Sequence, residues 1–469
     1  MTNLMNTEIK QDQRNYPYNP FVEDYILNTT AADIPDEVFH QAKRCLLDLI
    51  GVLAAGTTTE LGRVINTHAA RHFVPFIDDR NKGARLLGDG RPSSPVGVAL
   101  AGGMTIDSID AHDGMRLVKG HAGCGLLPAL LGLLMDRAED FNDDDLLTNL
   151  VLGYEIAIRA GITLHQSVPD YHTSGAWVAL GTAALTSRIR GHSPELLREA
   201  MGIAEYHGPR SQMMRTIDFP SMVKDGSGWG AMAGISAGLL AEDGFTGAPA
   251  ITVTAENEAP IWQDLGQVWH IIDQYIKPWP VCRWAQPAAT AALDVMAEHN
   301  LLADDIAHIR ITSFHQAVRL ATRIPHDTEG AQYSLPWPVA AAVIRGTIGT
   351  AEVSPPFNDP DISALALSMT LDEDDRYNDA FPAERIARVT LTTKDGAQYT
   401  SEDTTATWDP HDAPSDDAMI EKFHRLADPV LGVEKSASIK ELVFNLDPRN
   451  PSATGARDLV AMLSTKFTA

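Results

Sequence analysis

Cysteine is scarce in this sequence. Three cysteines, Cys45, Cys124 and Cys282, stand far apart among 469 residues and outside any Cys-x-x-Cys or histidine-rich pattern. An odd number of isolated thiols argues against both a disulfide framework and a zinc site. The chain therefore suits a reducing compartment, and we expect it in the cytoplasm.

Long apolar runs and positive charge are also lacking. No uninterrupted apolar run is long enough to span a bilayer, and the polar stretch from Met1 to Tyr18 does not have the pattern of a signal peptide. The net charge of -25 repels nucleic acid and anionic lipid, so we expect neither nucleic acid nor a membrane as a partner. A small anion can still bind where a few basic residues converge, because salt screens the wider field within about 10 Å.

The short motifs of the commonest cofactor and hydrolase sites do not occur. The sequence contains no Walker A loop, strand-associated GxGxxG, GxSxG elbow, HExxH or EF-hand loop. We therefore expect no cofactor and no metal.

What the sequence does contain is helical periodicity. With 44% hydrophobic and 21% charged residues the composition is globular, and the length predicts two domains. Apolar residues recur at three- and four-residue spacing through the first half, which predicts helix packed on helix. The predicted helices begin at Pro35 and cover 94–107, 125–137, 144–164, 175–190, 194–206 and 226–241.

The pattern changes after Lys277. Apolar and polar residues alternate over 306–314 and 386–393, which predicts half-buried strands, and Asp395-Gly396 predicts a hairpin turn after the second. Between the strands, 336–345 is predicted to form a helix that Gly346 ends.

Helical periodicity resumes over 415–426 and 456–463. The sequence therefore predicts a mainly α protein with an α+β domain. In this prediction an all-helical bundle domain, formed by residues 1–276 and the returning segment 411–469, is interrupted by a smaller α+β domain at 277–410.

Polar residues gather in loops between apolar helices, where burial shifts pKa values. One loop contains Asp107, Asp110, His112, Asp113, Arg116, Lys119 and His121. These residue types form either an acid/base pair with anion-binding neighbours or a solvated surface loop. The spacing of Asp110 and His112 alone is too weak a pattern for a metal site.

Three further residues precede helices or join the domains. His172 lies beside a predicted helix N-terminus, which favours the neutral imidazole that accepts a proton; an ordinary loop histidine is the alternative. Lys224 precedes a glycine-rich helix and would bind a carboxylate if buried; a surface lysine beside Asp225 is the alternative. Arg283 follows two prolines that would aim it into an interdomain cleft, where a guanidinium binds carboxylates; an incidental linker arginine is the alternative.

The order of these motifs resembles the MmgE/PrpD family over nearly the whole chain. The matching segments are Asp48-Leu49-Ile50-Gly51-Val52, Asp110 to His121, Gly153-Tyr154-Glu155, Tyr171-His172-Thr173-Ser174-Gly175, Met222-Val223-Lys224-Asp225-Gly226, Gly244-Phe245-Thr246-Gly247 and Lys277-Pro278-Trp279-Pro280-Val281-Cys282-Arg283. The resemblance implies a homodimer whose cofactor-free site lies between a helical domain and a smaller α+β domain. It places catalytic residues at Asp110, His121, His172 and Lys224. It also leads us to expect substrate-binding residues at His112, Arg116, Lys119, Arg283, Gln286 and Trp337.

The sequence departs from the family pattern at several of these positions. It has His112-Asp113-Gly114-Met115 where relatives often carry Asp-Asp-Thr-His, and Gln286 where they carry a histidine. Trp337 aligns with a functional tyrosine of the decarboxylase. These departures weigh against decarboxylation and against 2-methylcitrate as the substrate.

Members of the family include 2-methylcitrate dehydratase, cis-aconitate decarboxylase and iminodisuccinate epimerase. Their substrates share an acidic C–H next to a carboxylate, so proton abstraction is the common step. We expect a lyase that removes a proton from a small di- or tricarboxylic acid and eliminates water. An epimerase of a dicarboxylic acid is the first alternative, and an inactive metabolite-binding relative is the second.

His172→Gln and Lys224→Ala should each reduce turnover by at least roughly 100-fold while the fold stays intact, because acid/base and charge-stabilising groups contribute on that scale. Steady-state kinetics with circular dichroism as the folding control test this. Full activity in either variant would remove that residue from the mechanism.

Overall fold

The computed structural model describes residues 17–75, 83–137, 141–255 and 259–467. Most of the polar N-terminal stretch lies outside the described residues. The helices are α1 Pro20–Asn28, α2 Asp36–Gly56, α3 Glu60–His72, α4 Pro95–Asp107, α5 Gly123–Asp136, α6 Asp143–Ser167, α7 Gly175–Ile189, α8 Pro194–His207, α9 Met214–Asp218, α10 Ser227–Glu242, α11 Ile251–Thr254, α12 Ala259–Trp262, α13 Gln286–His299, α14 His315–Val318, α15 Thr328–Gln332, α16 Pro336–Arg345, α17 Pro360–Ser368, α18 Asp375–Ala380, α19 Asp416–Leu431, α20 Val433–Asn445 and α21 Gly455–Leu463. The strands are β1 Ile306–Ser313, β2 Thr370–Glu373, β3 Ile386–Thr393, β4 Gln398–Thr400 and β5 Thr404–Thr405.

Local sequence signals set several helix starts. Ser94 accepts a hydrogen bond from the Gly97 amide, and Pro95 follows at the first helical position of α4. Ser193 and Pro194 start α8 in the same way. Each serine satisfies an amide that has no partner within its helix, so these helices begin where the sequence predicts.

The helical body is built on close helix pairs. Helices α7 and α10 pack directly on each other, and α10 also packs on α4. A β-carbon added at Gly234 of α10 would clash with the Thr182 side chain and the Ala179 carbonyl oxygen of α7. The small residues of α10 therefore permit the short distance between the helix axes.

The smaller region is a mixed sheet with helices beside it. The strand order is β2-β1-β3-β4, and the short strand β5 also pairs with β3, at residues Ile386 and Ala387. Strand β1 runs parallel to β2 and antiparallel to β3, where Ile309 pairs with Leu391. Strands β3 and β4 form the predicted hairpin, and Gly396 adopts the positive φ of 89° that its turn requires.

After the sheet the chain returns to the helical body. Helix α19 packs along α2, and the Lys422 ammonium of α19 lies 2.5 Å from Asp48 Oδ1 of α2 with both side chains buried. The mainly α architecture with an α+β region is confirmed. The division at residues 276 and 410 stays a prediction.

Among the described residues, no single helix combines the length and apolarity needed to cross a membrane. Within the part of the chain that the structure describes, one pair of consecutive helices, α2 and α3, reaches that length and composition when the two are taken together, and the pair is bent by 92°.

Candidate active site

The loop between α4 and α5 is held from two sides. Gly114 and Tyr275 exchange backbone hydrogen bonds of 3.0 and 2.8 Å, which join the loop to the segment entering the smaller region. The Lys422 ammonium donates a hydrogen bond of 2.6 Å to the Ala111 carbonyl oxygen from the returning helix α19. The alternative of a solvated surface loop is therefore wrong for most of this segment, which is buried from Asp107 to Met115.

Three of the residues predicted for the site have left-handed backbone conformations. The φ angles of Asp110, Lys119 and Lys224 are 48°, 51° and 47°. Such a conformation costs a residue other than glycine on the order of 1–3 kcal/mol. Residues with this strain cluster at functional sites. Their coincidence with the predicted residues supports a functional role for this region.

A buried ion pair links the loop to the smaller region. The Lys277 ammonium lies 2.6 Å from Asp110 Oδ1 and 3.1 Å from the Asp110 carbonyl oxygen. Burial opposes the charge on Lys277, but the Asp110 carboxylate outweighs it, and the pKa of Lys277 is raised above its ordinary value. Lys277 therefore stays charged at the site.

His121 has the geometry of a neutral base. Its Nδ1 lies 2.6 Å from the Asp113 carbonyl oxygen, which fixes the proton on Nδ1 and leaves Nε2 as an acceptor. Burial, reinforced by the charges of Lys277 and His112, lowers the pKa of His121 well below its ordinary value. The imidazole is therefore neutral near pH 7.

Asp225 faces the free nitrogen of His121. Asp225 Oδ2 lies 3.8 Å from His121 Nε2 and accepts a 3.0 Å hydrogen bond from the Ser174 hydroxyl. Burial and then the charges of Asp107 and Asp110 raise the pKa of Asp225 to about 7. The carboxyl of Asp225 is therefore partly protonated near neutral pH, while His121 stays neutral.

Lys224 is buried rather than exposed beside Asp225, so the surface alternative is wrong. Its ammonium donates a hydrogen bond of 2.5 Å to Gln332 Oε1 and lies 4.5 Å from the centre of the Tyr333 ring. Gln332 in turn donates to the Ser108 carbonyl oxygen at 2.9 Å. Lys224 therefore lies between α10 and the smaller region, as expected for a domain-interface lysine.

These groups surround a small space that we name the catalytic cavity. It is lined by Asp110, Lys119, His121, Met213, Tyr275, Lys277, Cys282, Arg283, Trp284, Tyr333 and Arg385. Its volume of about 20 Å³ holds roughly one water molecule. A carboxylic acid substrate is larger, so we expect the walls to move apart when it binds.

His172 is half-buried beside this space but does not line it. Its backbone amide donates a 3.0 Å hydrogen bond to His165 Nε2, and its own Nδ1 is buried without a partner among the described residues. Burial and then the charge of Lys119 lower the pKa of His165 to about 4. The catalytic role of His172 stays a prediction.

Arg283 lies in the cavity wall, whereas Gln286 and Trp337 do not. Gln286 accepts a 3.0 Å hydrogen bond from Arg283 Nη1 and donates to the Val281 carbonyl oxygen. Trp337 donates its indole N–H to the Glu352 carbonyl oxygen at 2.8 Å and packs on Phe357. Gln286 therefore positions Arg283, and Trp337 packs within the smaller region.

The departure at Gly114 has a steric reason. A β-carbon at Gly114 would clash with the Tyr275 hydroxyl oxygen and lie 2.7 Å from His121 Nδ1. A threonine cannot occupy this position while Tyr275 stands there. The phenol of Tyr275 therefore fills the space that a side chain at position 114 would need.

One group of side chains has donor types that suit a cation. The ligand atoms of Asp107, Asp110 and His112 lie within 4.8 Å of one another and are buried. The direct contact between His112 Nε2 and Asp107 Oδ1, 3.5 Å, also fits a simple ion pair without a metal. Burial by itself would raise the pKa of Asp107, but the interaction with His112 and the charges of Lys224 and Lys277 together outweigh it, and the pKa is lowered. The expectation of no metal stays a prediction.

The sequence analysis missed several residues that line the cavity or, like Asp225, contact a residue that lines it. Lys277 and Asp225 stand inside motifs that the sequence analysis quoted, so their positions beside Arg283 and Lys224 were available signals. Tyr275, Tyr333 and Arg385 lie in segments with no chemical motif. Only the packing of the smaller region against the loop brings these three to the cavity.

The structure therefore brings acidic and basic side chains together around one small cavity between the helical body and the smaller α+β region. The MmgE/PrpD N-terminal domain model matches residues 22–258, and the MmgE/PrpD C-terminal domain model matches residues 279–448. The chain belongs to the MmgE/PrpD family, which confirms the resemblance seen in the sequence.

Curated relatives span nearly the whole chain. The cis-aconitate decarboxylase of Aspergillus terreus is 22% identical over 462 residues, which cover 90% of this chain and 91% of that protein. The cis-aconitate decarboxylase of Homo sapiens is 24% identical over 444 residues, 88% of each chain, and that of Mus musculus is 25% identical over 398 residues, 78% of each chain. Together with the family match, these relatives support an enzyme of the lyase type.

The raised pKa of Asp225 predicts how stability changes with pH. The Asp225 carboxyl holds its proton more tightly in the folded protein than in the unfolded chain. Its protonation therefore stabilises the fold fully below about pH 4, and this contribution is lost as the pH rises through about 7. Asp225→Asn removes the titration, so its unfolding temperature should fall less than that of the wild type between about pH 5 and pH 8. Thermal unfolding monitored by circular dichroism over this range measures the difference.

The exposed Asp243 provides the matched control, since Asp243→Asn should leave the pH dependence of the wild type unchanged. An Asp225→Asn profile parallel to the wild type would show that this carboxyl does not titrate in that range.

Proposed function

We propose that this protein is a cofactor-free lyase that removes a proton next to a carboxylate of a small di- or tricarboxylic acid and then eliminates water. The observation that carries the proposal is the neutral His121 in the cavity wall, with its Nδ1 proton held by the Asp113 carbonyl oxygen. In this arrangement His121 Nε2 takes the substrate proton.

The remaining residues suit the charge that develops after proton removal. The Lys277 ammonium lines the cavity and stabilises the enolate-like intermediate, and Asp110 fixes its position. Burial raises the pKa of Tyr275, so its phenol stays protonated and donates a hydrogen bond to the departing hydroxide. Asp225 then receives the proton from His121. This proton combines with the expelled hydroxide, so the net products are the unsaturated acid and water, and both His121 and Asp225 return to their starting states.

Decarboxylation is the second candidate because the curated relatives are cis-aconitate decarboxylases. The departures at Gln286 and Trp337 weigh against it. Neither an amide nor an indole titrates near neutral pH, and neither side chain lines the cavity. We therefore place dehydration first, and epimerisation by reprotonation on the opposite face remains the alternative with the same first step.

Incubation in deuterated water with a panel of di- and tricarboxylates, followed by NMR, tests these reactions. We expect exchange at a carbon next to a carboxylate, a new vinyl signal, and no itaconate from cis-aconitate. His121→Gln should abolish the exchange, because no other neutral base among the described residues lines the catalytic cavity. Arg388 lies outside the cavity and pairs with Asp403, so the control variant Arg388→Gln should keep the proton exchange.

Each other outcome has a defined meaning. Exchange without net product would favour the epimerase, and no change across the panel would favour the inactive metabolite-binding protein. Release of carbon dioxide at a rate comparable to the exchange would overturn the argument from Gln286 and Trp337.

We further propose that two copies of the chain form a homodimer. An apolar surface around the start of α10 supports it, since Phe219, Val223 and Trp229 have exposed fractions of 77%, 61% and 47%. Exposed apolar patches of this kind mark association surfaces. The surface adjoins Lys224, so a second copy would cover the wall of the site.

Sedimentation of the wild type should give the mass of a dimer, and Trp229→Glu should shift it toward the monomer because a charge would be buried at the contact. Val433, 66% exposed at the start of α20, gives the control Val433→Glu, which should stay dimeric. A monomeric wild type would contradict the proposal.

A further inference from the structure

Arg385 precedes β3 and is a buried cation without a carboxylate partner. Its side chain is 5% exposed, and no carboxylate oxygen of the described residues forms an ion pair with it. Its hydrogen bond to the Arg116 carbonyl oxygen is 3.5 Å long, at the limit of the range, and its Nε has no hydrogen-bond partner in the described part of the chain. Burial of a guanidinium is costly unless an anion compensates for it.

The other buried cations at the cavity differ from Arg385 because the protein neutralises them. Lys277 pairs with Asp110 at 2.6 Å, and Arg283 pairs with Asp409 at 2.9 Å. Both arginines lie over the Tyr275 ring, at 4.6 Å for Arg283 and 5.7 Å for Arg385. Arg385 therefore contributes a free positive charge to the wall.

Lys119 is a second cation without a carboxylate partner among the described residues. It lines the catalytic cavity with Arg385, and its ammonium lies 4.9 Å from the centre of the Tyr171 ring. Burial and then the charge of Arg385 lower the pKa of Lys119, so these two cations repel each other. An anion between them would relieve both the repulsion and the loss of solvent.

A second cavity adjoins the first across the two arginines, and we name it the arginine cavity. It has a volume of about 190 Å³ and is lined by Arg116, Arg283, Ala383, Glu384, Arg385, Thr405, Ala406, Asp409 and His411. Arg116, Glu384 and His411 are exposed, so this cavity opens to solvent. Arg283 and Arg385 belong to both cavities and separate the open space from the catalytic cavity.

We propose that Arg385, together with Lys119, forms the subsite that binds the second carboxylate of the substrate. A molecule that enters through the arginine cavity places this carboxylate between Arg385 and Lys119, and its reacting carbon then faces His121. The inference deepens the proposed function, and it limits the substrates to molecules that carry at least two carboxylates. Arg385 acts here as a residue that determines specificity.

Isothermal titration calorimetry with succinate and with butyrate tests the subsite, because the two probes have the same number of carbons and differ by one carboxylate. The wild type should bind succinate at least about tenfold more tightly than butyrate, as charge-assisted hydrogen bonds contribute on that scale. Arg385→Gln and Lys119→Gln should each weaken succinate binding at least about tenfold and leave butyrate binding nearly unchanged. Arg385→Lys should retain part of the preference, because the charge remains but the two-pronged geometry does not.

Arg388→Gln is the matched control. Arg388 lies three residues further along the chain, is 39% exposed and pairs with Asp403, so its loss should leave succinate binding at the wild-type value. Circular dichroism confirms the fold of each variant, and Lys119→Gln tests the same subsite if Arg385→Gln does not fold.

Wild-type binding of succinate and butyrate with equal affinity, or succinate binding that is unchanged in a folded Arg385→Gln or Lys119→Gln variant, would overturn the subsite. The experiment measures binding without turnover. A protein that binds succinate through Arg385 but exchanges no substrate proton would therefore support the subsite and contradict the proposed reaction.

Discussion

The ion pair between Lys277 and Asp110 joins the two parts of the molecule at the place where the chemistry is proposed. Asp110 belongs to the loop that follows α4, and Lys277 lies on the segment that leads into the smaller region. Both side chains are buried, so removal of one partner would leave an uncompensated charge, at a cost of about 3–5 kcal/mol. Asp110 and His121 lie in the same loop between α4 and α5. The position of His121 in the cavity wall therefore depends on this ion pair.

The distribution of buried charge explains how a chain of net charge -25 can present a positive cavity. Asp107, Asp113 and Asp225 lie behind the cavity wall, while Lys277, Lys119 and the arginines face the cavity. Burial, followed by the charges of neighbouring carboxylates, raises the pKa of Asp113 to about 6 and that of Asp225 to about 7. These two carboxyls therefore have pKa values near the neutral range in which acid/base catalysis works best.

Periodicity predicted the elements best where a single face is buried. The strand over 386–393 and the helix over 336–345 have the predicted bounds, because alternation and three- or four-residue spacing report directly on which side chains contact the core. Helix α13 and the short strands β2 and β5 were missed, and β4 was predicted only as the unnamed second strand of the hairpin after Gly396. Helix α13 follows a proline-rich segment and is alanine-rich with a weak apolar stripe, and the short strands contain too few residues to show alternation.

The sequence by itself determined the helical body, the change to α+β structure after Lys277, and the loops that hold His121, Asp110 and Lys224, because these follow from local patterns and ordered motifs. Only the tertiary structure decided that Lys224 and Asp225 are buried, that Tyr275 fills the space beside Gly114, and that Arg385 reaches the cavity. Arg385 and Lys119 are 266 positions apart, and no local pattern encodes their proximity. The desolvation and mutual repulsion that give these cations their chemical meaning exist only after the smaller region packs against the loop.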